Sequence, residues 1–152
     1  MPKPNLPGLT TYQAGATQAF MHRKLQKICD VILEPYGITK MQWLIIGAVL
    51  DAGEKGIRLS DLAEKLGTTK SYLTNTVNLL ESRGILKRRG HASDTRAKLI
   101  CVEDNYVQTC TEIEKTLRAG LRKTIYAKVD PKEFEIYLRV MDELAAVEID
   151  HE

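Results

Sequence analysis

Residues 59–102 read LSDLAEKLGTTKSYLTNTVNLLESRGILKRRGHASDTRAKLICV, and this stretch decides the fold. Leu62, Ala63 and Leu66 share one helical face, which predicts a short helix over 61–66. Ser60 is placed to cap it, with Asp61 at its positive end. Gly67 then provides a sharp turn, and Thr69 is the expected cap of a second helix over 70–82, with Leu73, Val77 and Leu80 facing inward. Two helices joined by so short a turn form a helix-turn-helix. Beyond Gly84, the apolar pieces 85–86 and 97–102 flank the polar, basic run KRRGHASDTR, which predicts a two-stranded hairpin with a long exposed tip at 90–95. Helix, turn, helix and basic hairpin together make a winged helix-turn-helix.

The outward face of the second helix carries Lys70, Ser71, Thr74, Asn75 and Asn78, short hydrogen-bonding side chains and one cation. A helix fits the DNA major groove, where lysine donates to guanine, asparagine pairs with adenine, and serine or threonine bonds base edges or phosphates. Thr69 begins this face, and Tyr72 either reaches a phosphate or packs beneath the helix. In the hairpin, Arg88, Arg89 and Arg96 are expected to contact phosphates or to enter a narrow minor groove. Asp94, two residues from Arg96, is placed to pair with it and stabilise the wing.

Charge distribution agrees with this placement. The whole chain of 152 residues has a formal net charge of only +2, but between positions 83 and 98 six cations face Asp94 alone, a local net of +5. Positions 142–152 carry five carboxylates and no lysine or arginine. An anionic partner is therefore expected at the hairpin. The apolar share of 43% fits a folded chain, and the length fits one domain with a sizeable core. No run approaches the roughly eighteen apolar residues of a membrane span, and the N-terminus lacks an apolar signal core, so a cytoplasmic location without membrane attachment is expected. Cys29, Cys101 and Cys110 contain no CxxC pair and are expected to be reduced and buried. No nucleophile motif, metal-spaced cluster or phosphate-cradling glycine loop occurs, and His22, His91 and His151 stand in unrelated contexts. An enzyme is not expected, nor is a cofactor or a metal.

Working outward, residues 1–11 hold three prolines and read as an irregular arm. A long helix is predicted from 12 to 33, striped by Met21, Leu25, Ile28 and Ile32 and stopped by Pro35. Thr39 with Gln42 permits a capping box before the run 43–50, apolar on nearly every side and therefore the central core helix. Ile57 and Leu59 suit a brief strand beside the hairpin. After the wing, Val107, Cys110, Ile113, Leu117 and Leu121 mark a helix from about 104, and Asp130 with Pro131 opens a last one. Its residues Phe134, Tyr137, Leu138, Met141, Leu144 and Ala145 are expected to face inward. The resulting organisation is an arm at 1–11, a first dimerisation helix at 12–38, a DNA-binding winged helix-turn-helix at 39–103, and C-terminal dimerisation helices at 104–152. The long terminal helices have more apolar face than one small core needs, which points to a symmetric homodimer presenting two motifs to a pseudo-palindromic site.

The runs ITKMQWLIIGAVL at 38–50, LSDLAEKLGTTKSYLTNTVNLLESRGILKR at 59–88 and SDTRAKLICV at 93–102 resemble the MarR family of winged helix-turn-helix transcriptional regulators. The resemblance extends over about 12–149, with Asp94 and Arg96 matching the aspartate and arginine of the family's wing. It implies a mainly helical fold with a small β wing, and a homodimeric regulator of palindromic double-stranded DNA, usually a repressor. It also implies release by a phenolic or other small aromatic effector bound between the DNA-binding and dimerisation regions, for which Tyr12, Phe20, Tyr36 and Trp43 are the expected lining. Two departures stand out: Asn75 occupies a position where many members have arginine, and VEDNY at 102–106 replaces the family's usual threonine- and glycine-containing segment. The competing reading is a winged-helix protein-interaction or architectural DNA-binding module without ligand control.

Overall fold

Thr10 and Gln13 open the first helix, α1 (Thr11–Leu33), by a reciprocal cap in which each side-chain oxygen accepts the other residue's backbone N–H at 3.1 Å. The computed structural model describes residues 9–91 and 94–149, and no side chain between 91 and 97. Most of the expected irregular arm therefore lies outside the described residues. Pro35 ends α1 as predicted, within a 3-10 turn at Glu34–Tyr36. The next helix, α2 (Lys40–Asp51), carries the predicted capping box, with Thr39 and Gln42 exchanging bonds of 3.0 and 3.2 Å. It buries Ile45, Ile46, Ala48 and Val49 and packs against α1 and the two helices that follow it, so it is the central core helix.

The next helix, α3 (Leu59–Leu66), starts earlier than expected. Ile57 bridges Ile100 through two backbone bonds of 3.0 and 2.8 Å, and the chain stays extended only to Arg58 before turning helical. Arg58 is thus the cap position, without a side-chain bond, and Ser60 and Leu59 both fall inside the helix rather than serving as cap and strand. Gly67 closes α3 in the left-handed conformation, φ 62°, which costs a residue with a Cβ. Its N–H donates to the Glu64 carbonyl at 3.1 Å and that of Thr68 to Ala63 at 3.0 Å, which ends the helix in a Schellman turn. Thr69 then caps α4 (Lys70–Ser82), its hydroxyl accepting from the Tyr72 N–H at 3.3 Å.

The wing pairs β1 (Leu86–His91) antiparallel to β2 (Asp94–Val102), in a register that sets Leu86 against Val102 and Arg88 against Ile100, with an irregularity at Gly90 and His91. Both strands run well into the segment expected to be loop. Polar side chains hid them, because ladder bonds satisfy the backbone whether or not the side chains alternate in hydropathy. After a 3-10 turn at Asp104–Tyr106 comes α5 (Val107–Thr124), which starts later than predicted. The last helix, α6 (Pro131–Ala145), is capped by Asp130 Oδ1, which accepts from the N–H groups of Lys132 and Glu133.

One core joins these pieces. Leu33, Ile45, Ile46, Val49, Leu62, Leu73, Val77, Leu80, Leu86, Ile100, Cys110 and Ile113 are at most 2% exposed, and they come from α1 to α5 and both strands. α1 and α5 approach so closely that a Cβ on Gly120 would lie 2.6 Å from Ile32 Cδ1. The expectation for α6 fails within a single chain, since none of its residues is buried. Phe134 alone of its large apolar residues is half-buried, its ring 4.3 Å from that of Tyr126, while Tyr137, Leu138, Met141 and Leu144 are exposed. The reason is geometric: α1 and α5 complete the core, and among the described residues no further layer remains to cover α6. No helix among the described residues is long and apolar enough to cross a membrane.

Candidate nucleic-acid interface

The buried positions Leu73, Val77 and Leu80 turn one side of α4 into the core, which forces the residues between them outward. Lys70, Ser71, Tyr72 and Asn75 are exposed, and the side chains of Lys70, Ser71 and Asn75 make no hydrogen bond among the described residues. Tyr72, left open between two roles by the sequence, points outward, 46% exposed. These four form a contiguous polar surface at the N-terminal end of α4, where the helix dipole favours an anion.

Other predicted contacts are engaged within the protein. Thr69 is committed to the cap, and the half-buried Thr74 donates its hydroxyl to the Lys70 carbonyl at 2.8 Å. Arg88 Nη2 donates to Asn78 Oδ1 at 2.7 Å while its Nε lies 3.1 Å from Glu81 Oε2, so these two DNA-contact candidates hold one another. Arg89 turns back toward the connection before α3, donating to the Glu54 carbonyl and, at 3.4 Å, to Cys101 Sγ. That thiol contact raises the guanidinium's pKa further, keeping it charged. The side chains of Asp94 and Arg96 lie outside the described residues.

Glu81 escaped the reading of the sequence. A signal was present: it stands three residues after Asn78 on the same helical face, a few residues before a basic strand. The Glu54 carbonyl had no such signal, because only the folded loop brings it to Arg89.

The four residues expected to line an effector pocket are not brought together. Tyr12 is 81% exposed at the start of α1, and Phe20 is exposed on the same helix with the Lys24 ammonium 5.0 Å from its ring centre. Tyr36 is half-buried, its hydroxyl 3.1 Å from Thr116 Oγ1. Trp43 lines a cleft of about 530 Å³ between α2 and α5, with Leu50, Cys110, Thr111 and Glu114, and none of the other three aromatic residues borders it. The three cysteines are free and buried, and burial pushes the Cys29 and Cys110 thiols above their ordinary pKa. Among the described residues no group of histidine, cysteine and carboxylate side chains is arranged to hold a metal.

Comparison with known proteins agrees with this geometry. A model of the MarR family matches residues 36–97, from the 3-10 turn after α1 into the wing. An uncharacterised HTH-type transcriptional regulator of Bacillus subtilis, YhbI, is 28% identical over 133 residues, covering 86% of this chain and 82% of that protein. Among solved structures, MepR of S. aureus in complex with DNA superposes with a TM-score of 0.76 at 19% identity, covering 91% of this chain and 99% of that one. CouR of Rhodococcus jostii RHA1, bound to p-coumaroyl-CoA, gives 0.79 at 17% identity, covering 91% and 95%.

Proposed function

We propose that this chain, which belongs to the MarR family through its winged helix-turn-helix, acts as a homodimeric, sequence-specific regulator of double-stranded DNA, a cytoplasmic repressor of a pseudo-palindromic operator. The observation that carries the reading is the exposed face of Lys70, Ser71, Tyr72 and Asn75 at the start of α4, beside a cationic two-stranded wing. In this reading α4 enters the major groove, Lys70 and Asn75 read base edges, Ser71 and Tyr72 meet the backbone, and Arg96 carries the wing to phosphate or the minor groove. Thr69 sets the helix start and Thr74 bonds back to the Lys70 carbonyl, so neither is assigned to reading sequence.

Exposed apolar residues on α6 and α1 support the dimer. Ile136, Leu144 and Val31 are between 52% and 65% exposed, and a second copy supplies the layer that the described residues lack. The cleft between α2 and α5 supports release by a small aromatic effector, because Trp43 offers it a ring and Glu114 a polar contact at the junction of the DNA-binding and terminal helices. The co-structure of CouR with p-coumaroyl-CoA makes aromatic thioesters and acids the first compounds to test.

The experiment is selection of preferred duplexes from a random library, with bound stoichiometry recorded at near-physiological salt. An inverted repeat bound by two chains is expected. Salt-sensitive binding without an enriched sequence would replace this reading with the architectural one, and absence of binding would leave the protein-interaction module.

A further inference from the structure

Among the described residues the wing and α4 are joined by a polar junction that none of the functions above requires. Glu81 Oε2 stands 3.1 Å from Arg88 Nε, and Arg88 Nη2 donates to Asn78 Oδ1 at 2.7 Å. Asn78 and Glu81 lie three apart on α4, so they face the same way, and Arg88 reaches them from β1. The pair is partly shielded, with side-chain exposures of 40% for Glu81 and 30% for Arg88, and the cation also lies at the negative end of the helix. The guanidinium is held by a hydrogen bond from Nη2 to Asn78 and by the ion pair of Nε with Glu81, and two different partners restrain its orientation as well as its position.

From this geometry we infer that Glu81 is a positioning residue for specificity: it holds Arg88 against Asn78, setting the wing's angle to the recognition helix and withholding one cation from indiscriminate phosphate contact. The inference rests on the DNA-binding reading above. Specific recognition needs the groove-reading helix and the wing in one fixed relation, since base contacts tolerate little displacement, whereas phosphate attraction tolerates a great deal. A loose arginine beside α4 adds affinity for every sequence alike. An arginine neutralised by Glu81 adds rigidity without that uniform attraction.

The test measures binding of the full-length protein, by fluorescence anisotropy over a salt series, to its selected duplex and to a scrambled one. Glu81→Ala frees Arg88 and the wing. The ratio of the two affinities should fall about tenfold, and the salt slope on the scrambled duplex should steepen by about one ion. Arg88→Ala should lower the ratio similarly, but leave the slope on the selected duplex as in the wild type, because no phosphate contact is lost. Glu81→Gln keeps the shape and one oxygen acceptor while removing the charge, so it should show the Glu81→Ala effects in smaller measure and covers the case in which Glu81→Ala does not fold. An unchanged ratio in folded Glu81 variants overturns the inference. So does a selected-duplex slope reduced by about one ion in Arg88→Ala, which would make Arg88 a phosphate contact. If the wild type itself does not distinguish the two duplexes, it is the regulator reading that fails.

Discussion

Thr39 and Thr69 each close a helix start with a hydroxyl that accepts a backbone N–H, and both were legible from the sequence because a cap is a local device. Replacing Thr39 with alanine removes the hydroxyl half of the α2 box and leaves the backbone N–H of residue 39 to Gln42, and urea unfolding should show a loss of about 1 kcal/mol. On the exposed face of α4, Lys70→Ala and Asn75→Ala should shift the preferred duplex, with discrimination at one base position falling by about 1 to 3 kcal/mol and the melting temperature unchanged. A melting temperature that fell sharply would place either side chain in the core. The thiols offer a third check at this scale. Burial raises the Cys29 and Cys110 thiols, and all three cysteines are covered. An aromatic disulfide reagent at pH 8 should therefore titrate no thiol rapidly in the native protein and three after unfolding. Rapid labelling of one in the native state would mean that its cover opens. Arg88 and Arg89 mark where residue-level reading ran out. Their charge was plain, but their partners, Glu81 and the Glu54 carbonyl, are set by how the wing folds back.

Between elements, α1 and α5 approach closely at Gly120. Gly120 faces Ile32 with no room for even a methyl group, so Gly120→Val should force the helices apart. Overpacking of this kind costs about 1 to 3 kcal/mol, readable as a lower denaturation midpoint. A neutral result would mean that Ile32 swings aside without loss. Helices were well marked in the sequence because a buried stripe at a period of 3.6 persists over many residues. The wing was only half visible: its base is apolar, but β1 continues through Lys87, Arg88, Arg89 and Gly90, which carry no strand pattern of their own. The start of α3 was misplaced for a related reason. The bridge between Ile57 and Ile100 is a contact across more than forty residues, and it decides where the chain may begin to turn.

At the scale of the whole molecule, α6 is a helix without a buried residue, carrying apolar side chains at a spacing that ordinarily packs a core. The proposed dimer accounts for it. Leu144→Glu places a charge on this face at a position 65% exposed in the single chain, so the monomer should keep its helical content while light scattering at micromolar concentration reports half the wild-type mass. A monomeric wild type would overturn the dimer itself. The chain alone determined the order of its elements, the caps of α2, α4 and α6, the central place of α2 and the polar outer face of α4, because each follows from residues within a turn or two of one another. Only the tertiary structure decided which arginines already hold a carboxylate or carbonyl, how far the wing extends, that Tyr12, Phe20, Tyr36 and Trp43 do not converge, and that α6 stays uncovered. Apart from the Arg88 pair, whose partner Glu81 stands only seven residues away, those outcomes depend on contacts between distant segments, and a sequence pattern records which face of a helix is apolar but not what will lie against it.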